Sequence, residues 1–338
     1  MQRKNLRCIY VLFISILCNF FFLTFVEKTI ILYYNALRVI ANRASHSIIR
    51  NEDTILETWI IFIILYGLLK GSRESIKKKL LNSVNVLTSL FVYTFIGFLM
   101  SVPTSTGIFD VPPYIFVWIF IKSSAIFFAW ILSFTILKKL PISTYGVTDM
   151  SRVIFSTLMG VIFLHETLTI KGIFSLLLIV SGLYIANRKT NANKEGYRIR
   201  QIWLLFLACF LNGVSGTLDK YIMSSGTITS SALQFWFMLI LSLMYLAYIL
   251  IKKEKLELKK ALTNPWIYAL SFSLVLGDRL LFIANSDPAS KVTIMTLIKQ
   301  CSAIVTIVLG KIIYHEKHIT KKLLCALIIL IGIALAIL

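Results

Sequence analysis

Apolar residues run in long blocks separated by short polar stretches. The blocks fall at 8–26, 54–72, 84–103, 114–137, 141–164, 170–187, 203–222, 231–251, 266–285, 291–313 and 323–338, eleven in all. A bilayer-spanning α-helix needs about 20 predominantly apolar residues, so blocks of this length predict membrane-spanning helices. Only the linker 27–53 is long, and it is polar enough for a loop or an interfacial helix. No stretch between blocks is long enough for a separate soluble domain.

Composition agrees with this pattern. The chain of 338 residues is 58% hydrophobic and 15% charged, where soluble domains carry about 25% charged residues. The net charge of +20 raises nucleic-acid binding as a class. The basic residues, however, sit in short clusters between apolar blocks rather than on one amphipathic surface. That is the pattern of loops anchoring spans at a membrane, and it argues against a nucleic-acid partner. Cys8, Cys18, Cys209, Cys301 and Cys325 all lie in apolar segments without metal-ligand spacing. The basic stretch Met1–Arg7 precedes an apolar run to Val26 with no small-x-small cleavage site, which predicts an uncleaved anchor helix.

Charge also predicts orientation. Alternate loops, beginning with the N-terminal tail, hold 23 Lys/Arg, against six on the opposite side. Five of the 23 are Lys70, Arg73, Lys77, Lys78 and Lys79, counted with the loop that begins at the end of block 54–72. Basic loops stay cytoplasmic, so the expectation is an N-terminus inside and a C-terminus outside, in a multi-pass protein of the cytoplasmic membrane.

The sequence repeats internally. Residues 142–188 align with 292–338 at a constant offset of 150, without gaps. Gly160, His165, Glu166 and Gly182 fall on Gly310, His315, Glu316 and Gly332. Around Lys70-Gly71 the offset is 142, onto Asn212-Gly213, with Lys78 meeting Lys220. Residues 54–188 and 201–338 thus read as two copies of a five-helix unit, with 1–53 an extra helix and connecting loop. An odd number of spans per copy forces the second to be inverted. Inverted repeats place a substrate site near the midplane, between the halves. The expected fold class is therefore an all-α integral membrane protein with ten core transmembrane helices in two inverted five-helix repeats, plus one extra N-terminal helix.

Three elements carry a resemblance. Leu140-Pro141-Ile142-Ser143 opens a helix, Gly160 through Thr169 reads Gly-Val-Ile-Phe-Leu-His-Glu-Thr-Leu-Thr, and a helix containing Gly182 follows. The repeat resembles the EamA-like unit of the drug/metabolite transporter superfamily, over residues 54–338. His165 stands where the family pattern has glycine. The second copy keeps Gly310, Glu316 and Gly332 but has Lys317-His318-Ile319-Thr320 at the usual turn. The resemblance implies ten core helices, alternating access and movement of small metabolites. Members of that superfamily usually keep both termini cytoplasmic; this chain departs through its extra first helix.

Ionisable residues inside a membrane normally face the protein interior or a cavity. Lys122, Arg152, Lys220, Arg279, Lys299, Lys311, Asp149, Asp219 and Asp278 fall within or near the blocks. Tyr145, Asp149, Arg152, Ser156 and Gly160 share one helix face by spacing. Met295, Lys299, Ser302, Thr306 and Gly310 form the repeat-related face. Tyr145, Asp149, Arg152, Lys299, Ser302 and Thr306 are the candidate substrate-binding residues. An acid on one mate and a base on the other suits a zwitterionic or anionic solute. The competing reading is a structural Asp149–Arg152 or Asp149–Lys299 pair that locks helices together.

Asp278 and Asp149 are candidates for proton coupling. Asp278 can instead neutralise Arg279 or Lys299. Neighbours on a helix point about 100° apart, so Asp219-Lys220 and Asp278-Arg279 are not expected to line one face together. Lys77–Lys79 read as a solvated helix end, while Lys70, Arg73 and Glu74 can reach a cytoplasmic vestibule. Trp130 and Trp236 are further candidates for a cavity lining.

His165-Glu166 and His315-Glu316-Lys317-His318 lack the His-Glu-x-x-His spacing of a metal site and read as turns. No Gly-rich phosphate loop, nucleophile elbow or paired catalytic carboxylates occur, so neither cofactor nor enzymatic activity is expected. The leading function is a secondary carrier of a small polar or zwitterionic metabolite, with a small-molecule substrate and membrane lipids as partners. The alternative is a flippase for a lipid-linked intermediate, or its accessory subunit.

Overall fold

A computed structural model describes residues 58–163, 170–187, 195–287, 290, 295, 298–316 and 319–337. The expected helix at 8–26, the linker 27–53 and the pair His165-Glu166 lie outside them. Every regular element among the described residues is helical. The first copy holds α1 (Thr58–Leu81), α2 (Val86–Ser101), α3 (Pro113–Lys139), α4 (Ile142–Asp149), α5 (Arg152–Phe163) and α6 (Ile170–Asn187). The second holds α7 (Glu195–Ser224), α8 (Ser230–Lys252), the short α9 (Leu258–Leu262), α10 (Pro265–Ser286), α11 (Ser302–Tyr314) and α12 (Ile319–Ile337). Together Trp59–Leu338 form one compact unit.

Local sequence sets the helix ends. Asn85 caps α2 by accepting from Thr88 N at 2.8 Å, and Thr229 caps α8 by accepting from Ala232 N at 3.1 Å. Pro113 and Pro265 occupy the first turns of α3 and α10, where a missing N–H costs nothing. Lys253 and His315 close α8 and α11 in the left-handed conformation, at φ 52° and 49°.

Among the described residues, five segments are long and apolar enough to cross a membrane: Val86–Thr104, Pro113–Lys139, Ile199–Ser224, Ser230–Lys252 and Pro265–Ser286. Three block boundaries differ from the sequence expectation. Block 141–164 is two helices, not one. At the junction Met150 N and Ser151 N bond three residues back, to Val147 O and Thr148 O, in place of the four-residue ladder. Such a tightened stretch inside a helix is a common hinge. Helix α1 runs on to Leu81, so all five basic residues from Lys70 to Lys79 are helical, and Lys70, Arg73 and Lys77 are buried within the protein rather than in a loop. Removing these three from the charge count leaves twenty against six. Helix α7 begins at Glu195, eight residues before its apolar block.

The repeat is visible in the packing. Helix α6 packs on its repeat mate α12, and α2 on its mate α8. A Cβ on Gly182 would lie 3.2 Å from Cys325 O and 2.7 Å from Ile329. A Cβ on Gly332 would lie 3.1 Å from Ser175 O and 3.3 Å from Ile179. These contacts exchange under the offset of 150, which is the signature of a two-fold relation. The pairs 182/329 and 179/332 also move in opposite directions along the chain. The mates are therefore antiparallel and the two copies inverted. Gly71 of α1 meets Ser302 and Val305 of α11, while Gly213 of α7 meets Phe155 and Ser156 of α5. The second copy repeats the break as well: Ile304 N bonds Cys301 O, as Ile154 N bonds Ser151 O, each at 3.0 Å.

Candidate functional site

Between the two copies lies a cavity of about 160 Å³. It is bordered by α1, α3, α4, α5, α7, α8, α10 and the turn before α11. Pockets for drug-sized ligands measure about 300–1,000 Å³, so this smaller space suits a small solute. The two helix breaks, at Asp149–Ser151 and at Cys301, stand beside it.

Ionisable side chains dominate its wall. Lys70 Nζ is 3.1 Å from Asp149 Oδ2, and Arg152 Nη2 is 2.8 Å from Asp149 Oδ1. Arg73 Nη1 is 3.8 Å from Asp278 Oδ1, and Lys77 Nζ 2.7 Å from Glu74 Oε1. Lys122, 2% exposed, lies 3.1 Å from Asp219 and 3.3 Å from the centre of the Phe237 ring. An ammonium over an aromatic face gains from the ring's negative quadrupole, which offsets part of its desolvation. Lys220 donates to Asn285 O and to Ser290 Oγ, each at 3.1 Å. Lys299 borders the cavity and makes no hydrogen bond or ion pair to a described residue.

The cavity is closed at one end and open at the other. Arg73, Glu74 and Lys77, in the second half of α1, are buried. Outside them, Tyr314 Oη donates to Ser75 O at 2.7 Å and Lys78 Nζ to Leu140 O at 2.6 Å. Toward the C-terminal end of α7, Gly216 is exposed, and Ser156, Thr217, Lys220 and Lys299 are partly exposed. A Cβ placed on Gly216 would meet nothing within 4 Å.

Of the candidate binding residues, Tyr145, Arg152 and Lys299 border the cavity. Asp149 stands behind it, held by two cations. Ser302 and Thr306 do not border it. Thr306 Oγ1 donates to Gly71 O at 3.2 Å, and Ser302 O packs on Gly71, so both serve the contact between α1 and α11. Asp278 borders the cavity, as does Trp130; Trp236 donates to Ile108 O instead.

Four sequence expectations are corrected. Lys77 is buried rather than solvated, because α1 continues across the cavity. Asp278 pairs with Arg73; Arg279 instead donates to Gln234 Oε1 at 2.7 Å and Thr104 Oγ1 at 3.0 Å. Asp149 pairs with Lys70 as well as Arg152, and not with Lys299. Asp219 and Lys220 both border the cavity although their side chains seek different partners. The signal for Lys70, Arg73 and Glu74 was the repeat itself: their equivalents 212–216 lie inside a span.

Among the described residues no three His, Cys, Asp or Glu cluster as metal ligands. Glu316 instead caps α4, accepting from Ile142 N at 2.6 Å, Ser143 N at 3.0 Å and Ser143 Oγ, beside Lys322.

Two inverted helical repeats around a buried, charge-lined cavity define a membrane-embedded protein of the transporter kind. The chain belongs to the EamA-like transporter family, which it matches over residues 57–188 and 199–338. No curated relative matches it. A solved structure described only as "Crystal structure of protein" shares its fold, with a TM-score of 0.62 and 11% identity over 81% of this chain and 94% of that one.

Proposed function

We propose that this protein is a secondary transporter that moves a small polar metabolite across the cytoplasmic membrane by alternating access. The carrying observation is the charged cavity between two inverted copies, flanked by a helix break in each. Broken helices beside a site at a repeat interface are the usual architecture of such carriers. Substrate enters between α5, α7 and residues 298–300 and meets Arg152, Lys299 and Tyr145. Rocking of one copy against the other, with the breaks as hinges, then opens the far end.

Ten core helices and an extra N-terminal one fit this reading, with the N-terminus cytoplasmic and the C-terminus external. The basic face remains the closed end, so the cavity opens outward in this state. Asp278, 3.8 Å from Arg73, is a better proton-coupling candidate than Asp149, which holds two cations at 2.8 and 3.1 Å. Exchange of Asp278 for asparagine should then uncouple uptake from a proton gradient.

Purified protein in sealed proteoliposomes tests the proposal. Saturable uptake of a soluble solute, lost in Arg152→Ala, is the expected result. Movement of labelled lipid without any solute uptake would replace the carrier with a flippase. A C-terminal reporter active only in the cytoplasm would reverse the orientation.

A further inference from the structure

The charges around the cavity do not balance. Lys220 stands near the mouth, bonded to Asn285 and Ser290 and with Asp287 in electrostatic reach, and can be set aside. Six cations remain against the four carboxylates Glu74, Asp149, Asp219 and Asp278. That is two positive charges more than the described protein groups neutralise.

The repeat shows where one of them arises. Asp149 and Lys299 are equivalent, as are Lys70 and Asn212. In the first copy the residue before the break is an acid, and Lys70 on α1 of the same copy pairs with it. In the second copy the residue before the break is a lysine, and the position equivalent to Lys70 is Asn212, which donates to Ala208 O. Lys299 is thus without an acid of its own: the carboxylate in its electrostatic reach, Asp219, is already paired with Lys122 at 3.1 Å. The second charge is shared: Lys70 and Arg152 both lean on Asp149. Buried guanidinium nitrogens also lack a hydrogen-bond acceptor, at Arg73 Nε and Nη1, the latter only in the longer ion pair with Asp278, and at Arg152 Nε. A buried N–H without an acceptor carries its full desolvation cost. Guanidinium forks match the paired oxygens of carboxylate and phosphate groups.

We infer that the solute is a small dianion, a phosphate monoester or dicarboxylate of a few carbons, bound by Lys299 and Arg152. A solute of this charge supplies the two missing negative charges and acceptors for the open N–H groups. The cavity volume of about 160 Å³ suits a solute of a few carbons. The inference rests on the carrier reading for its physiological meaning, but the charge preference can be measured without transport.

The test is equilibrium binding to purified full-length protein, with glycerol, glycerate and glycerol 3-phosphate as a ladder of charge on one skeleton. Malate, serine and putrescine complete the set. Glycerol 3-phosphate or malate should bind at least about tenfold more tightly than glycerate or serine, since one further charge contact inside a protein exceeds that factor. Lys299→Gln should weaken the dianion at least about tenfold and Lys299→Arg by less than about threefold, with both variants eluting monodisperse. A binding site that prefers glycerate, serine or putrescine, or takes neither dianion, overturns the inference. So does a Lys299→Gln variant that is folded and binds the dianion normally. Uptake into proteoliposomes separates the two ideas. A dianion bound but never carried sinks the transporter reading alone, and serine carried without dianion binding sinks this inference alone.

Discussion

Lys70 and Asp149 join α1 to the break between α4 and α5 through a 3.1 Å ion pair, both side chains close to fully buried. Arg152 completes the set at 2.8 Å from the other carboxylate oxygen. Removing one partner of a buried pair leaves an uncompensated charge and costs about 3–5 kcal/mol. Asp149→Ala strands two cations and should fall in that range. The double variant Lys70→Met/Asp149→Leu should recover much of the loss, because apolar replacement of a buried pair is often near neutral. Denaturation in detergent measures both. A double variant as unstable as Asp149→Ala would show that the pair does not act as a unit.

Close helix approach gives the second prediction. A Cβ on Gly71 would sit 2.6 Å from Ser302 O and from Val305 Cβ, and one of those atoms is backbone that cannot step aside. Gly71→Ala should therefore cost about 1–3 kcal/mol through overpacking. Gly216 borders the open end with no atom near its missing Cβ. Gly216→Ala should leave stability unchanged or raise it slightly, since alanine favours the helix by about 1 kcal/mol. Equal losses in the two variants would mean that the α1–α11 contact is not the constraint.

The repeat and the helical class were legible because both are written in spacing. Hydrophobic blocks give helices, and a gapless offset of 150 gives two copies. The packing of Gly182 on Ile329 and of Gly332 on Ile179 obeys that offset, although the contact itself is seen only in the structure. Arg152 and Lys299 were legible as charges inside apolar blocks. Lys70 and Arg73 read as loop residues because charge density hides a helix from hydropathy. Their charges are tolerated inside by Asp149 and Asp278, partners 79 and 205 residues away. No local rule reveals such distant pairs. The helix break had no proline or glycine to announce it: Asp149-Met150-Ser151 is ordinary helix sequence. Ser302 and Thr306 looked like one polar stripe with Lys299, but the break re-aims them onto Gly71.

Glu257 offers a pH test outside the spanning helices. Asn85 N–H donates to its carboxylate at 3.2 Å, and Lys260 lies 3.3 Å away. The Asn85 hydrogen bond first, then Lys260, hold the Glu257 carboxyl below the usual range. A depressed folded value means that the carboxylate's contribution is present above the unfolded value of about 4.3 and is lost as pH falls through the folded one. The difference in melting temperature between the wild type and Glu257→Gln should thus be full near pH 6 and vanish at lower pH, below the folded value. Lys260→Ala should reduce the effect only in part. A difference that persists unchanged to pH 3 would assign it to packing.

Glu316 fastens the two copies at the closed end. Its carboxylate receives Ile142 N, Ser143 N and Ser143 Oγ at the first turn of α4, where free N–H groups and the helix dipole favour a negative charge. The preceding Pro141 has no capping side chain of its own, so the cap comes from 174 residues away. Loss of an N-cap costs about 0.5–2 kcal/mol. Glu316→Ala should reach the upper part of that range, because Lys322 is left without its carboxylate, 3.8 Å distant. Glu316→Gln keeps one acceptor oxygen but not the charge, and should fall between wild type and alanine. In the carrier reading the same contact holds the basic face shut. Loosening it should raise the labelling rate of a cysteine placed at Ser75, under the Tyr314 hydroxyl, while that of one at Gly216 falls or stays level. Faster labelling at both positions would indicate unfolding rather than a shift between facing states.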